Sequence, residues 1–514
     1  MPKCFSKCRK IPEELCTREE CRFVSGSRHH YCRLSHKYKM DEDCIAHPKE
    51  QKERTQKERT QKSRLSPKRA QMTLKRHRAA QKIGKFMRKV DPHKRRARFL
   101  STICSDAGVC IAFGKETETI RKHFGGFVDF THIRGPIKRI GQPSENGFVN
   151  EITYERNGYV ANSILKSAAS ESADNLLFEY FVGQYINKQC RIFPCFVETY
   201  GWFVYKNPDN WRHMKNTRIV ENSVVKDSLQ LPPADVDSLK SMEIACTHSK
   251  YVAILIQHIK DAKSLHAMSQ QTLFVKQDLI NVLYQMYMPL ATLANTFNHY
   301  DLHLDNVLVY EPVQGKYIQY RYVFTDGQVV EFKSSYIAKL IDYGRSFFVD
   351  ADESSITGSS KSIYDTICKI KQCKPNCGED VGFGNVAPEE YPGSFYYISS
   401  SKRNMSHDLR ALNDLKKYPG INPALHNTLK KVVYGFGLAE NKQYGTKEQD
   451  NPSRLTKSSM PKKIVNVIDA HAALKTLVLA NGFQNDADYK DMESLGTLNI
   501  YQSGRAMEFV PLSK

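Results

Sequence analysis

The chain has 514 residues, of which 40% are hydrophobic and 25% charged, and its formal net charge is +21. This composition is typical of a soluble globular protein with polar extensions. The absence of any apolar run of about 18 residues excludes a predicted transmembrane helix, and the N-terminus lacks the apolar segment of a secretory signal. We therefore expect an intracellular protein that makes no membrane contact.

Residues 1–47 form a predicted Cys-rich module, which holds six of the fourteen cysteines. Without a signal peptide, clustered Cys and His favour a metal site over disulfides. Zinc prefers a tetrahedral set of such ligands, often paired at short spacings. The candidate Zn²⁺ ligands are Cys4, Cys8, Cys16 and Cys21. Disulfides and unligated thiols remain alternatives, because these spacings match no specific zinc motif.

Residues 48–98 form a predicted basic linker. Lys, Arg and Gln dominate from Lys49 to Arg98, beginning with the repeat QKERTQKERTQK. Such a stretch buries too little apolar surface to offset chain entropy, so we expect disorder or a lone exposed helix. A solvated tail is one interpretation. Nonspecific, salt-sensitive contact of residues 49–98 with nucleic acid is another, and nuclear targeting is a third.

The periodicity of a folded domain begins at Phe99. Two or three strands are predicted between Gly135 and Lys166, with turns at Gly141–Gly147 and at Asn157–Gly158. The later predictions, in chain order, are a helix over 171–188, a strand over 193–205, a polar insertion over 206–245, a buried strand over 251–259, a helix over 275–298 kinked at Pro289, a hairpin over 310–335 and a mostly helical region beyond 400. Strands followed by helices predict an α+β fold with a small β-rich part and a larger α-rich part.

Two loops carry the clearest chemical signal. The segment HYDLHLDNVLV runs from residue 299 to residue 309, and LIDYG follows at 340–344. The combination HxDLxxxN…DYG resembles the catalytic and metal-binding loops of protein kinases. His303, two residues after Asp301, is also similar to the HxDxHxxN loop of aminoglycoside and choline kinases. The stretch Phe99–Lys166 looks like the kinase-like proteins of giant DNA viruses.

The resemblance implies a bilobal protein-kinase-like fold that uses ATP and Mg²⁺. The N-lobe would span 99–260, with the insertion at 206–245, and the C-lobe would span 261–514 with the catalytic loop. In such a fold Asp301 accepts the proton of the acceptor hydroxyl, and His299 braces the loop. Asn306 and Asp342 match the family's two Mg²⁺-holding positions, and both supply the hard oxygen ligands that this ion prefers.

The resemblance also implies a lysine that holds the ATP phosphates and a glutamate that orients it. Lys166 ends the strand-like run Ser163–Lys166, and a buried strand rarely ends in Lys without a partner. Glu179 matches the glutamate, because it lies within the following predicted helix. Glu171 is the alternative, although a glutamate at a helix start also serves to stabilise the helix dipole.

The nucleotide itself would contact two further segments. Gly141, Ser144, Gly147 and Val149 stand where the Gly-rich loop of the family belongs, although Ser144 replaces its middle glycine. Backbone N–H groups in such a loop cradle phosphate, but an ordinary hairpin turn explains the same residues. Adenine would bind to the backbone of a hinge at Gln257 and Ile259, after the strand predicted over 251–259.

Several positions depart from the family pattern or fit it loosely. Tyr300 replaces the usual Arg before the catalytic Asp, so switching by a phosphorylated activation loop is not expected. Asp408 resembles the buried aspartate that supports the catalytic loop, but an N-cap of the next helix explains it equally. The sequence APE at 387–389 matches the family literally. Three cysteines, Cys368, Cys373 and Cys377, are interpreted as solvent-side thiols, with a second metal site as the alternative.

These features predict a protein kinase, of Ser/Thr type, with a protein substrate. A small-molecule kinase is the alternative favoured by His303, and a catalytically inactive kinase fold acting as a binding module is a third hypothesis. Inactive kinases usually lose one of the key residues, whereas this chain keeps Lys166, Glu179, Asp301, Asn306 and Asp342. The expected location is the host cytoplasm or nucleus, or the virion.

Overall fold

The structure is a computed structural model. It describes residues 21–26, 29–34, 102–104, 110–114, 116–128, 130–144, 146–157, 159–231, 246–353, 355–367, 381–384, 395–398, 400–434 and 462–511. The chain divides into two compact units, Met1–Arg95 and Arg96–Lys514. Within the described residues, no helix has the length and apolar character needed to cross a membrane.

In the first unit the structure describes one antiparallel hairpin, formed by β1 (Cys21–Gly26) and β2 (His29–Leu34). Cys21 is the first residue of β1. The other candidate zinc ligands (Cys4, Cys8 and Cys16) and the basic stretch 49–98 lie outside the described residues. The zinc site and the nucleic-acid contact therefore stay predictions.

The second unit is a mixed α+β structure built around a seven-stranded antiparallel sheet. It begins with the short hairpin β3 (Thr102–Cys104) and β4 (Cys110–Ala112), followed by helix α1 (Glu116–His123). The strands of the sheet are β5 (Ile137–Ile140), β6 (Gly147–Arg156), β7 (Tyr159–Ala168), β8 (Thr199–Tyr205), β9 (Ile219–Val220), β10 (Leu229–Gln230) and β11 (Val252–Gln257). Their spatial order is β10-β8-β11-β7-β6-β5-β9. The predicted strands between Gly135 and Lys166, with a turn after Arg156, are confirmed.

The sheet curls because its two edge strands are close neighbours in the chain. β9 and β10 lie at opposite ends of the strand order, yet eight residues separate them. Helix α2, defined here as Leu176–Gln189, covers one face of the sheet, and two further helices, α3 (Pro208–Asn216) and α4 (Asn222–Ser228), follow β8. A seven-residue helix such as α4 spans only about 10 Å, so the sheet ends must approach each other. The predicted insertion at 206–245 thus contributes both edge strands, and its residues 232–245 lie outside the described part.

Alternation along the central strands decides which side chains face α2. In β11, Ala253 and Leu255 join the core inside the curl, whereas Ile254 and Ile256 join the core on the α2 side. Both faces of this strand are buried, as its continuous apolar run predicts. In β7, Leu165 points into the curl. Because side chains alternate along a strand, Lys166 lies on the face that α2 covers.

Helix α2 begins five residues later than predicted. Asn175 is its N-cap, since its side-chain oxygen accepts hydrogen bonds from the backbone N–H groups of Leu177 (3.0 Å) and Phe178 (3.3 Å). Such a cap satisfies N–H groups that have no partner in the first helical turn. Glu179 therefore lies in the first turn of the helix rather than in its middle. The predicted strand over 193–205 is likewise shorter, and begins at Thr199.

The rest of the unit contains small sheets and helices. The strands are β12 (Lys263–Ser264), β13 (Phe297–Asn298), β14 (Val307–Tyr310), β15 (Lys316–Val323), β16 (Val329–Ser334), β17 (Ile337–Leu340), β18 (Phe347–Phe348), β19 (Val381–Gly384), β20 (Phe395–Ile398), β21 (Glu493–Tyr501) and β22 (Glu508–Pro511). The helices are α5 (Leu265–Met268), α6 (Thr272–Gln277), α7 (Leu279–Thr292), α8 (Ser360–Ile367), α9 (Arg410–Leu415), α10 (Pro423–Leu429), α11 (Val467–Ala480) and α12 (Gly482–Asp488). The sheet β12-β14-β17 places the two motif loops side by side, because the loops flank the paired strands β14 and β17.

The predicted helix over 275–298 is wrong in its extent. It is two helices, α6 and α7, which break at Asp278, and α7 continues through Pro289 to end at Thr292. The Asp278 carboxylate accepts hydrogen bonds from the hydroxyl groups of Ser334 (2.7 Å) and Tyr489 (2.5 Å), so it is held by distant parts of the chain. The break between α6 and α7 thus coincides with tertiary contacts of Asp278, which local periodicity does not reveal.

The region beyond residue 400 is less helical than predicted, because it ends in β21 and β22. β21 pairs in parallel with β15 of the predicted 310–335 hairpin, which is confirmed as β15 and β16. The four strands form one sheet in the order β16-β15-β21-β22. A pairing partner so far away in the chain is invisible to local pattern, although Leu498 and Ile500 do alternate with polar residues.

Candidate active site

The centre of the site is a cluster of one lysine and two carboxylates. Lys166 Nζ lies 2.7 Å from a Glu179 carboxylate oxygen and 2.8 Å from Asp342 Oδ1. Lys166 comes from β7, Glu179 from the first turn of α2, and Asp342 follows β17. The alternative glutamate, Glu171, pairs instead with Lys250 at 3.1 Å. The geometry thus brings together three residues that the sequence places 13 and 176 positions apart.

Charge pairing governs protonation in this cluster. Burial by itself would raise the pKa of Asp342, but the Lys166 ammonium and its hydrogen bond lower that pKa to about 2. Burial would lower the pKa of Lys166, and the two carboxylates raise it above its ordinary value. Burial raises the pKa of Glu179 to about 7, against the pull of Lys166. Lys166 and Asp342 are therefore an ion pair at neutral pH.

The first motif loop is held in place by hydrogen bonds to Asp408. Its carboxylate oxygens accept hydrogen bonds from the backbone N–H groups of His299 (2.8 Å) and Tyr300 (2.8 Å). Burial raises the pKa of Asp408 to about 7, and the two backbone bonds oppose that rise. The alternative role as an N-cap is wrong, because α9 begins at Arg410 without a side-chain cap. The supporting contact also fixes Tyr300 in a left-handed conformation, with φ of 66°.

Further hydrogen bonds connect the two motif loops. His299 Nε2 lies 3.0 Å from the carbonyl oxygen of Ile341. Burial lowers the pKa of His299, so the ring is neutral and donates its Nε2 proton to that carbonyl. Asn306 Nδ2 donates to the carbonyl oxygen of Asp301 at 2.9 Å, and the Ile341 N–H donates to the carbonyl of Asn306 at 3.1 Å. Through Nε2, His299 thus links the first motif loop to the second.

The carboxylate of Asp301 is flanked by arginines that sequence reasoning missed. Arg410 Nη1 donates to Asp301 Oδ1 at 2.9 Å, and Arg345 Nη1 lies 3.9 Å from Oδ2. His303 Nε2 is 4.0 Å from Oδ1. Arg410 lies only two residues after Asp408. The predicted contact of Asp408 with the loop could therefore have indicated that Arg410 lies near Asp301.

The residues after Asp342 form a tight turn. Asp342 has a positive φ of 68°, which is uncommon for a residue other than glycine. The Tyr343 hydroxyl donates to the Leu340 carbonyl at 2.7 Å and accepts from the Val197 N–H at 3.1 Å, so the ring is anchored in the core. A Cβ at Gly344 would lie 3.3 Å from the Glu179 carboxylate, which is tight contact. Glycine therefore allows this turn to approach α2.

The loop between β5 and β6 holds the predicted phosphate-binding residues. Gly141 and Ser144 are exposed, and Val149 is the cross-strand partner of Lys166. The loop closes on itself, because the Ser144 N–H donates to the Gly147 carbonyl at 2.8 Å and the Gly147 N–H donates to Ser144 Oγ at 3.0 Å. A Cβ at Gly147 would lie 2.7 Å from the Ser167 carbonyl oxygen. The hairpin-turn and phosphate-binding interpretations are both compatible with this geometry.

The predicted hinge follows β11. The Gln257 N–H donates to the Glu198 carbonyl at 2.8 Å, so it is already occupied. The N–H of Ile259 forms no hydrogen bond within the part of the chain that the structure describes. Of the two hinge residues, Ile259 therefore has the backbone donor that is available to a ligand.

The donor set fits a magnesium ion shared with phosphate. Asp342 Oδ1 contacts Lys166, but the Asp342 side chain is 41% exposed and can therefore be reached by an ion. Asn306 uses its Nδ2 for the hydrogen bond to Asp301, so its amide oxygen can serve as a metal ligand. Mg²⁺ in nucleotide sites needs only one or two protein oxygen ligands beside phosphates and water. Among the described residues, no group of three His, Cys, Asp or Glu converges as an all-protein metal site. The cysteines at 368–377 and the 387–389 segment lie outside those residues.

The chain resembles known proteins at the level of solved structures only. No family model matches this chain, and no curated protein matches it. One solved structure that it resembles is described as "Crystal structure of PF14_0431, kinase domain", with 14% sequence identity and a TM-score of 0.24. The match covers 42% of this chain and 52% of that structure's chain, about half of its length.

Proposed function

We propose that this protein transfers the γ-phosphoryl group of ATP to a hydroxyl group of a protein, using a bilobal protein-kinase-like domain. The observation that carries the proposal is the Lys166 ammonium held between Glu179 and Asp342. A buried lysine is costly unless it is paired, and here one of its partners, Asp342, is still partly open to solvent. The cluster thus holds an ammonium group beside a carboxylate that a phosphate carrying a bound cation can reach.

Phosphoryl transfer asks the protein for positioning and charge neutralisation more than for covalent chemistry. Lys166 would hold the nucleotide phosphates, and Glu179 would keep the ammonium in place. A Mg²⁺ ion held by Asp342 and Asn306 would neutralise charge on the phosphates. Asp301 would orient the acceptor hydroxyl and take its proton as the oxygen attacks the γ-phosphorus and ADP departs. The free N–H of Ile259 would bind adenine.

A small-molecule acceptor is the second candidate. Beside the catalytic loop lies a cavity of about 320 Å³, lined by polar side chains that include His303, Asp305 and Tyr418. The Asp305 N–H donates to His303 Nδ1 at 3.2 Å, so Nε2 is the ring nitrogen that faces away from this contact. A cavity of this size suits a small polar molecule or a single side chain.

The test is transfer of labelled γ-phosphate from ATP with Mg²⁺, with generic proteins and the protein itself as acceptors. Wild-type protein should label an acceptor, and Asp301→Asn should abolish labelling while ATP binding persists. Intact ATP binding without protein labelling would favour the small-molecule acceptor, to be sought among polyhydroxylated and amino compounds. Absence of ATP binding would refute the proposal and leave the binding-module hypothesis.

A further inference from the structure

Arg410 makes the shortest contact to the proposed base from outside its own loop. Its Nη1 donates to Asp301 Oδ1 at 2.9 Å, and the two side chains are 24% and 17% exposed. A charge-assisted bond of this kind is stronger and more directional than a neutral one. Within the described residues, Asp301 Oδ2 forms no hydrogen bond, since Arg345 Nη1 stays 3.9 Å away. One carboxylate oxygen is therefore anchored and the other is available.

The position of Arg410 is itself determined by Asp408. The Asp408 side chain binds the backbone of His299 and Tyr300, directly before Asp301. Arg410 is the first residue of α9, two positions after Asp408, and the buried residues Leu412 and Leu415 hold this helix in the core. The guanidinium and the Asp301 carboxylate are thus fixed to the same rigid support. Preorganised partners lose little entropy when they form their bond.

Arg345 restrains the second side of the carboxylate. Its Nε lies 3.4 Å from the Asp174 carboxylate, in the loop before α2, and its Nη1 faces Asp301 Oδ2. The carboxylate therefore lies between two guanidinium groups, of which only Arg410 is within hydrogen-bond distance. Arg410 also lines the cavity of about 320 Å³ beside the catalytic loop, together with His303 and Lys417.

We propose that Arg410 is a positioning residue, which holds Asp301 Oδ1 so that Oδ2 faces the acceptor hydroxyl. This inference rests on the proposed function. Arg410 would not touch ATP, so its loss should lower turnover without weakening nucleotide binding. A misplacement of about 1 Å in a reacting group can cost about a hundredfold in rate. A lysine would restore the charge but not the planar, directional donor of the guanidinium.

The experiment compares Arg410→Met and Arg410→Lys with a matched control, Arg403→Met. The half-buried Arg403 donates through its guanidinium to Asn295 Oδ1 at 2.6 Å, away from Asp301. We expect Arg410→Met to lower kcat about a hundredfold with the KM for ATP changed less than about threefold. Arg410→Lys should recover about a tenth of wild-type kcat, and Arg403→Met should stay within about twofold of it.

The outcomes separate this inference from the function on which it rests. Wild-type protein without any transfer would refute both. Active wild type together with an equally active Arg410→Met variant would refute only the positioning role. A parallel loss of kcat, ATP affinity and thermal stability in both Arg410 variants would assign the residue a purely structural role and overturn the inference. Should Arg410→Met fail to fold, Arg410→Lys decides, because a folded lysine variant with full kcat also overturns it.

Discussion

Two polar clusters in this protein are each built around carboxylate groups but differ in their surroundings. In the Lys166 cluster, Glu179 and Asp342 share a cation, and the Asp342 side chain is 41% exposed. In the second cluster, Asp278 is only 5% exposed and its partners are the neutral hydroxyl groups of Ser334 and Tyr489. We call the Lys166 cluster open, because it is charged and partly exposed to solvent. We call the Asp278 cluster closed, because it is buried and its carboxylate has neutral partners.

The difference teaches that a shifted pKa does not by itself mark a functional residue. Burial raises the pKa of Asp278 to about 6, with smaller contributions from the carboxylates of Asp488 and Glu311. Burial likewise raises the pKa of Glu179 to about 7. Perturbed groups occur both at active sites and in structural networks. The Lys166 cluster has a charged partner and is accessible to a ligand, whereas the Asp278 cluster has neither property. Substitutions in the first cluster should therefore reduce activity, and substitutions in the second should reduce stability.

The largest expected effect is that of Asp342→Asn. The substitution removes the carboxylate proposed to hold Mg²⁺, so phosphoryl transfer should fall about a thousandfold, in the range seen when one electrostatic contact to the transition state is lost. Initial rates with labelled ATP measure this loss. The matched control is Asp209→Asn, because Asp209 forms an exposed ion pair with Arg212. Equal activity of the two variants would remove Asp342 from the site.

A smaller effect should separate the two glutamates near α2. Glu179→Gln keeps the shape of the side chain but removes the negative charge beside Lys166, so we expect a loss of about a hundredfold in kcat/KM. Glu171→Gln weakens a partly exposed pair with Lys250 and should change the rate less than about twofold. Steady-state kinetics of both variants test the assignment, and a larger loss for Glu171→Gln would reverse it.

The closed cluster should respond in stability and not in activity. Tyr489→Phe removes the hydroxyl that donates to Asp278 at 2.5 Å and accepts from the Ser335 N–H at 3.1 Å. Loss of these buried bonds should lower the free energy of unfolding by about 2 kcal/mol. Urea unfolding measures the change, while the transfer rate per folded molecule should stay at its wild-type value. A selective loss of that rate would show that the closed cluster supports the site.

The smallest effect is a pH dependence. Because the folded-state pKa of Asp278 is about 6 and its ordinary value is 3.8, the folded protein binds this proton more tightly. The resulting stabilisation is complete below about pH 3.8 and is lost as the pH rises through 6. As the pH rises from about 5 to about 7, deprotonation of Asp278 should therefore lower the free energy of unfolding by about 1 kcal/mol. Asp278→Asn should lack this decrease in urea titrations, and identical slopes for both proteins would contradict the assignment.

Local patterns in the sequence predict most of the strands and turns that form the site. The strand-like run Ser163–Lys166, the apolar strand over 252–257 and the hairpin over 310–335 are encoded by neighbouring residues, because strand alternation and turn chemistry act over a few positions. The helix after Lys166 also follows from local pattern, but its start does not. The residues before Asn175 also fit a helical pattern, but the Asn175 side chain caps the helix and so sets its start at Leu176.

By itself, the sequence singled out the five residues to which the proposed chemistry is assigned, in their order along the chain: Lys166, Glu179, Asp301, Asn306 and Asp342. Only the tertiary structure decided that Lys166 pairs with Glu179 and not with Glu171, that Asp408 binds the loop backbone and does not cap a helix, and that Arg410 anchors Asp301. It also decided that β21 extends the hairpin of β15 and β16. The physical reason is that each of these contacts joins segments distant in the chain, and the path of the chain depends on the packing of the whole domain.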